Sequence, residues 1–98
     1  MSISTTEIAP LRAIAVRFDE DSLTVDLSDG RVISAPLGWY PRLSHGTSAE
    51  RINWRLTADD TAIHWPALDE DLSVESIVAG RRSMESAASF ARWLAGRS

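Results

Sequence analysis

The chain has 98 residues, of which 44% are hydrophobic and 24% charged, and this size and composition predict one globular domain, residues 1–98, around a single core. It contains no cysteine, which excludes disulfides, thiolate metal sites and a thiol nucleophile. Its formal net charge of −4 argues against direct binding of a nucleic-acid backbone over a broad surface, because such binding needs a basic face.

The first ten residues carry no signal for export or membrane insertion. They contain Glu7 and lack both a basic start and a continuous apolar run, and no later segment has 18 consecutive apolar residues. The sequence therefore predicts a cytoplasmic protein with no membrane segment.

Two runs near the start of the chain, 13–18 and 22–27, alternate apolar and polar residues, as half-buried strands do. A four-residue loop between them would pair three sets of apolar residues on one face: Phe18 with Leu23, Val16 with Val25, and Ile14 with Leu27. Register and hydrophobic pattern agree, so we expect an antiparallel pair.

The next connection contains Asp29-Gly30, a strong hairpin signal. A two-residue loop would pair apolar with polar residues, whereas a three-residue loop with Gly30 left-handed in a bulge sets Val25 opposite Ile33 and Leu23 opposite Ala35. The sequence therefore predicts a third strand over 31–37 and a three-stranded antiparallel meander.

The middle of the chain is predicted to form a loop, a short helix and a second hairpin. Residues 38–46 are punctuated by Gly and Pro and allow one helical turn at 40–44. Thr47, with Glu50 three residues later, has the spacing of a capping box. A hairpin over 54–65 would turn at Asp59-Asp60 and place Trp54 and Trp65 in the core.

Two helices are predicted in the last quarter of the chain. Ser73 caps the first, which ends at Gly80, and Ser83 caps the second, which spans 84–95 and ends at Gly96. Apolar residues recur along the second helix at three- and four-residue steps: Met84, Ala87, Ala88, Ala91, Leu94 and Ala95. Phe90 and Trp93 widen this stripe, so we expect a homo-oligomer. The fold class is α+β: a meander, a second hairpin, short helices and a C-terminal helix.

Three blocks of the sequence are similar to a family of small bacterial domains, domain-of-unknown-function family 2442. They are Leu27-Ser28-Asp29-Gly30-Arg31, Trp39-Tyr40-Pro41-Arg42-Leu43, and the run from Ile63 to Val74 followed by Ala79-Gly80. The resemblance covers residues 11–80 and leaves 81–98 as a C-terminal helical extension. It implies a small α+β domain with no established activity. Some members carry a C-terminal helix-turn-helix domain, and many are encoded beside another small protein in a toxin–antitoxin-like pair.

The chain departs from the DNA-binding members of that family. Only residues 81–98 follow the matched region, and they predict one helix. A helix-turn-helix needs two helices joined by a turn, so this extension does not form one.

His64 is the residue most suited to catalysis, since three carboxylates follow it at 69–71 and a His with carboxylates serves as a general base or a metal ligand. The chain has only two His, which excludes a three-His zinc site, and no nucleophile elbow accompanies His64. The alternative is a polar strand residue bonded to a neighbour such as Arg55 across the hairpin. We predict no catalytic, cofactor or metal site, and no enzyme.

The remaining candidates point to a protein interface. Asp69, Glu70 and Asp71 either cap the N-terminus of the following helix or meet a basic patch on a partner. Trp39, Tyr40 and Arg42 are residue types enriched at interface hot spots, but they could equally belong to the core. The candidate interaction surface has seven residues: Trp39, Tyr40, Arg42, His64, Asp69, Glu70 and Asp71.

Two functions follow from these residues. The first is a non-enzymatic interaction module that binds a small protein, encoded next door, as the neutralising or regulatory member of a toxin–antitoxin-like pair. The alternative is an auxiliary subunit of a DNA-binding transcriptional regulator, in which the arginines of the tail contact phosphate or a helix-turn-helix partner: Arg81, Arg82, Arg92 and Arg97.

Overall fold

A computed structural model describes residues 10–97 and gives them an α+β fold of two antiparallel sheets and four short helices. The sheets contain, in order, β1 (Ala13–Phe18), β2 (Ser22–Leu27) and β3 (Val32–Pro36), then β4 (Arg55–Thr57), β5 (Ala62–Trp65) and β6 (Glu70–Ser73). The helices are α1 (Pro41–His45), α2 (Ser48–Ile52), α3 (Val74–Val78) and α4 (Ala87–Ala95). The prediction that residues 1–10 carry no export signal concerns a stretch whose first nine residues lie outside the described residues.

The first sheet confirms the predicted meander. Phe18 lies opposite Leu23, and Val25 has Val16 on one side and Ile33 on the other. The predicted loop is also present: Gly30 has a φ of 95°, and the Leu27 N–H donates to the Arg31 carbonyl over 2.8 Å. A left-handed residue at this point fits glycine because it has no Cβ.

The prediction that Ile14 packs opposite Leu27 is wrong. The register of β1 shifts between Ala13 and Ala15, so Ala13 takes the place opposite Leu27 and Ile14 is 62% exposed. The cause is a bulge, which adds one residue and turns the next side chain to the other face. The Ala13 N–H donates to the Asp60 carbonyl over 2.9 Å, which ties this point of the first sheet to the β4–β5 turn.

The second sheet contains the predicted hairpin and one further strand. β4 and β5 are joined by a turn at residues 58–61, in which Ala58, Asp59 and Asp60 all have positive φ. β6 then runs antiparallel to β5, a strand that the sequence pattern does not predict. It is four residues long with a single apolar side chain, Leu72, which is too short a pattern to show alternation.

The core lies between the two sheets, closed by the segment around α1. Trp65 is fully buried and meets the ring of Phe18 edge-on at 6.2 Å between centroids, so it joins the sheets. Trp54, also predicted in the core, precedes β4 and is only half-buried. The other fully buried large side chains are Tyr40, Leu23, Leu27, Leu43, Ile63, Leu68, Val25 and Val74.

Two of the predicted helix starts are confirmed. Thr47 accepts from the N–H of Glu50, whose carboxylate accepts the Thr47 N–H, so the capping box before α2 is complete. Ser73 accepts from the Ser76 N–H at the start of α3, and Gly80 follows the helix with a φ of 76°.

The C-terminal helix begins three residues later than predicted. Ser86, not Ser83, caps α4, while the Ser83 N–H donates to the Trp39 carbonyl over 3.0 Å and holds residues 81–86 as an irregular segment. The packed face of α4 carries Phe90 and Trp93, whereas the alanine-rich stripe lies on the exposed side. Among residues 10–97, no helix is long and apolar enough to cross a membrane.

Among the glycines of the described residues, Gly46 lies closest to a core side chain. A Cβ there would lie 2.9 Å from one methyl carbon of Leu68, whose side chain is fully buried and would have to shift. Gly46→Ala should therefore destabilise the domain by about 1–3 kcal/mol through overpacking, as measured by urea unfolding. Gly38→Ala is the matched control because a Cβ there meets nothing within 4 Å. Equal unfolding midpoints for the two variants would contradict this packing.

Candidate functional site

An open groove with a volume of about 610 Å³ runs between β6 and the segment 81–86, and we call it the β6 groove. One wall is β6 itself, preceded by Asp69, and the other is the segment 81–86 with Ser89 of α4. Five of the seven candidate interaction residues line it: Tyr40, Arg42, Asp69, Glu70 and Asp71. The fold thus brings two candidate segments that are distant in sequence, residues 40–42 and 69–71, to the same groove.

Arg42 lies at the floor of the groove and connects its two walls. Its Nε donates to the carboxylate of Glu85 over 2.9 Å, and its Nη1 donates to the carbonyl of Asp69 over 2.8 Å. The side chains of Arg42 and Glu85 are each only 14% exposed. The N–H groups of Arg42 hold the pKa of Glu85 below its usual range. Arg42 is therefore a structural link and not the free interface residue that the sequence predicted.

The acidic run 69–71 does not cap a helix. Asp69 occupies a left-handed turn with a φ of 50°, Glu70 and Asp71 belong to β6, and Ser73 caps α3 instead. Asp69 and Asp71 are 86% and 68% exposed, so they form what we call the acidic rim of the groove. The helix-cap interpretation is wrong because a strand intervenes.

Glu70 differs from the two aspartates because its side chain turns toward the interior. It is half-buried, and burial raises the pKa of its carboxyl, an effect that the charge of Arg42 opposes. One of its oxygens accepts the backbone N–H of Asp71 over 3.1 Å. Glu70 therefore belongs to the groove wall and covers part of the backbone of β6.

His64 pairs with a different residue from the one expected. Its Nδ1 lies 2.8 Å from Oδ1 of Asp71 on β6, although Arg55 is its neighbour in the β4–β5 ladder. In the described part of the chain, no group of three or more His, Cys, Asp and Glu side chains is placed to hold a metal ion. His64 therefore orients one side of the acidic rim.

The aromatic loop is covered by the segment 81–86. Tyr40 is buried, its pKa is raised by that burial, and its hydroxyl donates to the carbonyl of Arg81 over 3.2 Å. Trp39 is half-buried, and the guanidinium of Arg82 lies 5.0 Å from its ring centroid. Tyr40 therefore belongs to the core, which is one of the two alternatives that the sequence left open, and Arg82 covers part of Trp39.

Helix α4 docks onto the domain through charged and aromatic contacts. Two guanidinium groups lie over the ring of Trp93, that of Arg42 at 5.1 Å and that of Arg97 at 4.8 Å from the ring centroid. Phe90 meets His45 edge-on at 5.2 Å. No described residue of α4 is fully buried, so the helix is held by these contacts on its partly buried face.

The pairing of Arg97 with Glu50 makes this docking depend on pH. Both Nη atoms of Arg97 donate to the carboxylate, and together with the Thr47 N–H they lower the pKa of Glu50 to about 2. The folded pKa lies below the unfolded one, so the pair stabilises docking above the ordinary Glu pKa and is lost as pH falls toward 2.

An NMR pH titration of the Glu50 carboxyl should therefore give a pKa of about 2 in the native chain. In the Arg97→Gln variant we expect this pKa to rise toward its ordinary value. Arg92→Gln, on the same helix, is the control and should leave the pKa of Glu50 unchanged. A native value in the ordinary range would mean that the Arg97 contact does not form.

The comparisons with solved structures agree with this fold. A protein of unknown function from Rhodospirillum rubrum is 24% identical with a TM-score of 0.68, and the match covers 79% of this chain and 95% of that one. An uncharacterised protein from Chromobacterium violaceum is 18% identical with a TM-score of 0.64, and covers 88% of this chain and 75% of that one. At these identities both show the fold alone.

The comparison with curated proteins found no match. The family profile described as "Protein of unknown function (DUF2442)" matches residues 13–83, which hold both sheets and α1 to α3. α4 lies outside the matched region. Because the match spans more than half of the sequence, the chain belongs to the DUF2442 family.

Proposed function

We propose that this protein is an interaction module that binds a small partner protein in the β6 groove. The observation that carries the proposal is an open groove whose two walls are fixed by Arg42 and whose rim presents Asp69 and Asp71 to solvent. A pre-formed groove with exposed charges favours recognition, because little ordering is needed on binding.

The acidic rim favours a partner with a basic surface on the β6 side. Asp69 and Asp71 are largely exposed, and charges at such positions steer association and are screened by salt. Many family members are encoded beside another small protein in a toxin–antitoxin-like pair, so the protein encoded next door is the first partner to test. Binding there would neutralise or regulate that neighbour.

The alternative, an auxiliary subunit of a DNA-binding regulator, has less support. Of the four tail arginines, Arg97 is paired with Glu50 and Arg82 stacks on Trp39. A phosphate contact by either would have to break an interaction within the chain. This reduces the basic surface that the alternative needs.

Self-association remains a second proposal about partners. The aromatic part of the apolar stripe on α4 is not available for it, because Phe90 and Trp93 face the domain. The exposed side of the helix, including Ala91 and Leu94, is then the surface that a second copy would contact. A monomer by light scattering at micromolar concentration would contradict self-association.

The proposed function is tested by co-expressing the chain with the protein encoded next to it, followed by calorimetric titration at low and high salt. We expect binding that weakens with salt and is about tenfold weaker for the double variant Asp69→Asn, Asp71→Asn. Asparagine tolerates the left-handed conformation of residue 69, so the fold is kept.

The matched control is Glu20→Gln with Asp21→Asn, which removes the same charge from the exposed β1–β2 loop. This control should bind as the native chain does. Absence of binding to the neighbour, or equal loss of affinity in the two double variants, would overturn the proposal.

A further inference from the structure

We propose that β6 recognises its partner by strand addition: an extended, basic segment of the partner pairs with the open edge of β6 inside the groove. This inference rests on the proposed function and names the partner chemistry for the same site. It is carried by the backbone of β6 and by the charges around it.

β6 is the outer strand of the second sheet, and within residues 10–97 no strand pairs with its far side. The Val74 N–H donates to the Thr61 carbonyl over 2.8 Å, and Leu72 lies opposite Ile63. Hydrogen-bonded pairs alternate along an antiparallel ladder, so residues 70, 72 and 74 bond to β5. The backbone groups of Asp71 and Ser73 therefore point away from the sheet.

Other side chains already satisfy three of the outward backbone groups. The Asp71 N–H donates to Glu70, the Ser73 carbonyl accepts from the Ser76 hydroxyl over 2.9 Å, and the Asp69 carbonyl accepts from Arg42. In the described residues, the Asp71 carbonyl and the Ser73 N–H are left without such a partner. Flanking Leu72, they form the acceptor and donor that one bridge to an added strand requires.

The surroundings of this bridge determine which segment fits. Side chains alternate between faces along a strand, so the partner residue opposite Leu72 points inward and its two neighbours point outward, one beside Asp71 and the other beside Ser73. The exposed carboxylates of Asp71 and Asp69 favour lysine or arginine at the outward positions on the Asp71 side. The occupant is thus an alternating basic and apolar segment.

A short, charged edge also disfavours pairing of β6 with copies of itself. β6 has four residues, two of them acidic, and in two copies bridged at Leu72 the Asp71 side chains would be diagonal neighbours of like charge. A basic strand removes this repulsion, so charge selects the partner while the backbone bridge provides the contact.

The test compares Ser73→Pro with Ser73→Ala. Both variants remove the hydroxyl that caps α3, but only proline removes the outward N–H. Ser73 has a φ of −80°, which proline adopts, and its N–H is not part of the β5–β6 ladder. Thermal melts of the two variants should therefore be similar.

The probe is the peptide Lys-Val-Lys-Val-Lys, acetylated and amidated, titrated into the full chain by NMR. In the native chain, we expect the peptide to shift the NMR signal of the Ser73 amide and to protect this amide from exchange. We expect the peptide to bind Ser73→Pro about tenfold more weakly than Ser73→Ala. The same peptide with methylated backbone nitrogens keeps the charges but cannot donate to the Asp71 carbonyl, and it should also bind about tenfold more weakly.

Equal affinities of the proline and alanine variants, or no response to the peptide at millimolar concentration, would overturn strand addition. If Ser73→Pro does not fold, the methylated peptide decides alone, and equal binding of the two peptides refutes the inference. A different result refutes the proposed function. It is refuted if the protein encoded next door does not bind the native chain, regardless of whether the peptide binds.

Discussion

Replacing Trp65 with alanine is expected to destabilise the domain by about 3–5 kcal/mol, as large-to-small core changes do. Trp65 is 0% exposed, its Nε1 donates to the Arg51 carbonyl over 2.9 Å, and its ring meets Phe18 of the other sheet. The substitution removes the ring contact with Phe18 and leaves the Arg51 carbonyl without this donor. Urea unfolding followed by far-UV circular dichroism measures the change.

Trp54→Ala is the matched control, because it deletes the same side chain at a half-buried position before β4. We expect this variant to lose about 1–2 kcal/mol, since a partly exposed side chain loses less burial and leaves no closed cavity. An equal loss of unfolding free energy in Trp54→Ala and Trp65→Ala would contradict the half-buried position of Trp54.

Replacing Arg42 with alanine is expected to release α4. The change removes the partner of Glu85, which is only 14% exposed, together with the guanidinium that lies against Trp93. A hydrogen bond to a charged group contributes about 1.5–3 kcal/mol, so the free energy that keeps α4 docked should fall by that order. Hydrogen exchange of the α4 amides should then be at least about tenfold faster.

The same variant should loosen the turn before β6, since Arg42 also donates to the Asp69 carbonyl. Arg55→Ala is the control: this arginine is exposed on β4, away from α4. Unchanged exchange of α4 in Arg42→Ala would refute the role of Arg42 as the link between the groove walls.

The meander was predictable because its signals are local. Apolar and polar residues alternate in 13–18 and 22–27, and only one register places Val25 and Ile33 on the same face. Gly30 then determines the type of turn. The caps at Thr47 and Ser73 are local as well, since the residues that make the hydrogen bonds lie three positions apart.

The errors concern features that depend on distant contacts. Ile14 turns outward because a bulge in β1 is bonded to Asp60 in the other sheet, and the spacing of apolar residues cannot show that bond. β6 forms because β5 offers it a ladder, not because of its own composition. Helix α4 is capped by Ser86 instead of Ser83, because the backbone N–H of Ser83 is bonded to the Trp39 carbonyl.

The candidate site was predicted in composition but not in arrangement. The acidic rim was predicted, yet Tyr40 is buried under the segment 81–86 and Arg42 is paired with Glu85, 43 positions away. Glu85 was missed as a site residue, and no signal near it in the sequence indicates a partner at that distance. The opposite charges of Arg42 and Glu85 are compatible with a pair, but the sequence does not indicate that these two residues meet.

The most direct test is to map the binding of the neighbouring protein on this chain by NMR chemical shifts. The account predicts that the perturbed amides lie on both walls of the β6 groove, at residues 69–73 and 81–86. Perturbations confined to the outer face of the first sheet, around Arg17, Thr24 and Ser34, would contradict it, because that face is separate from the groove.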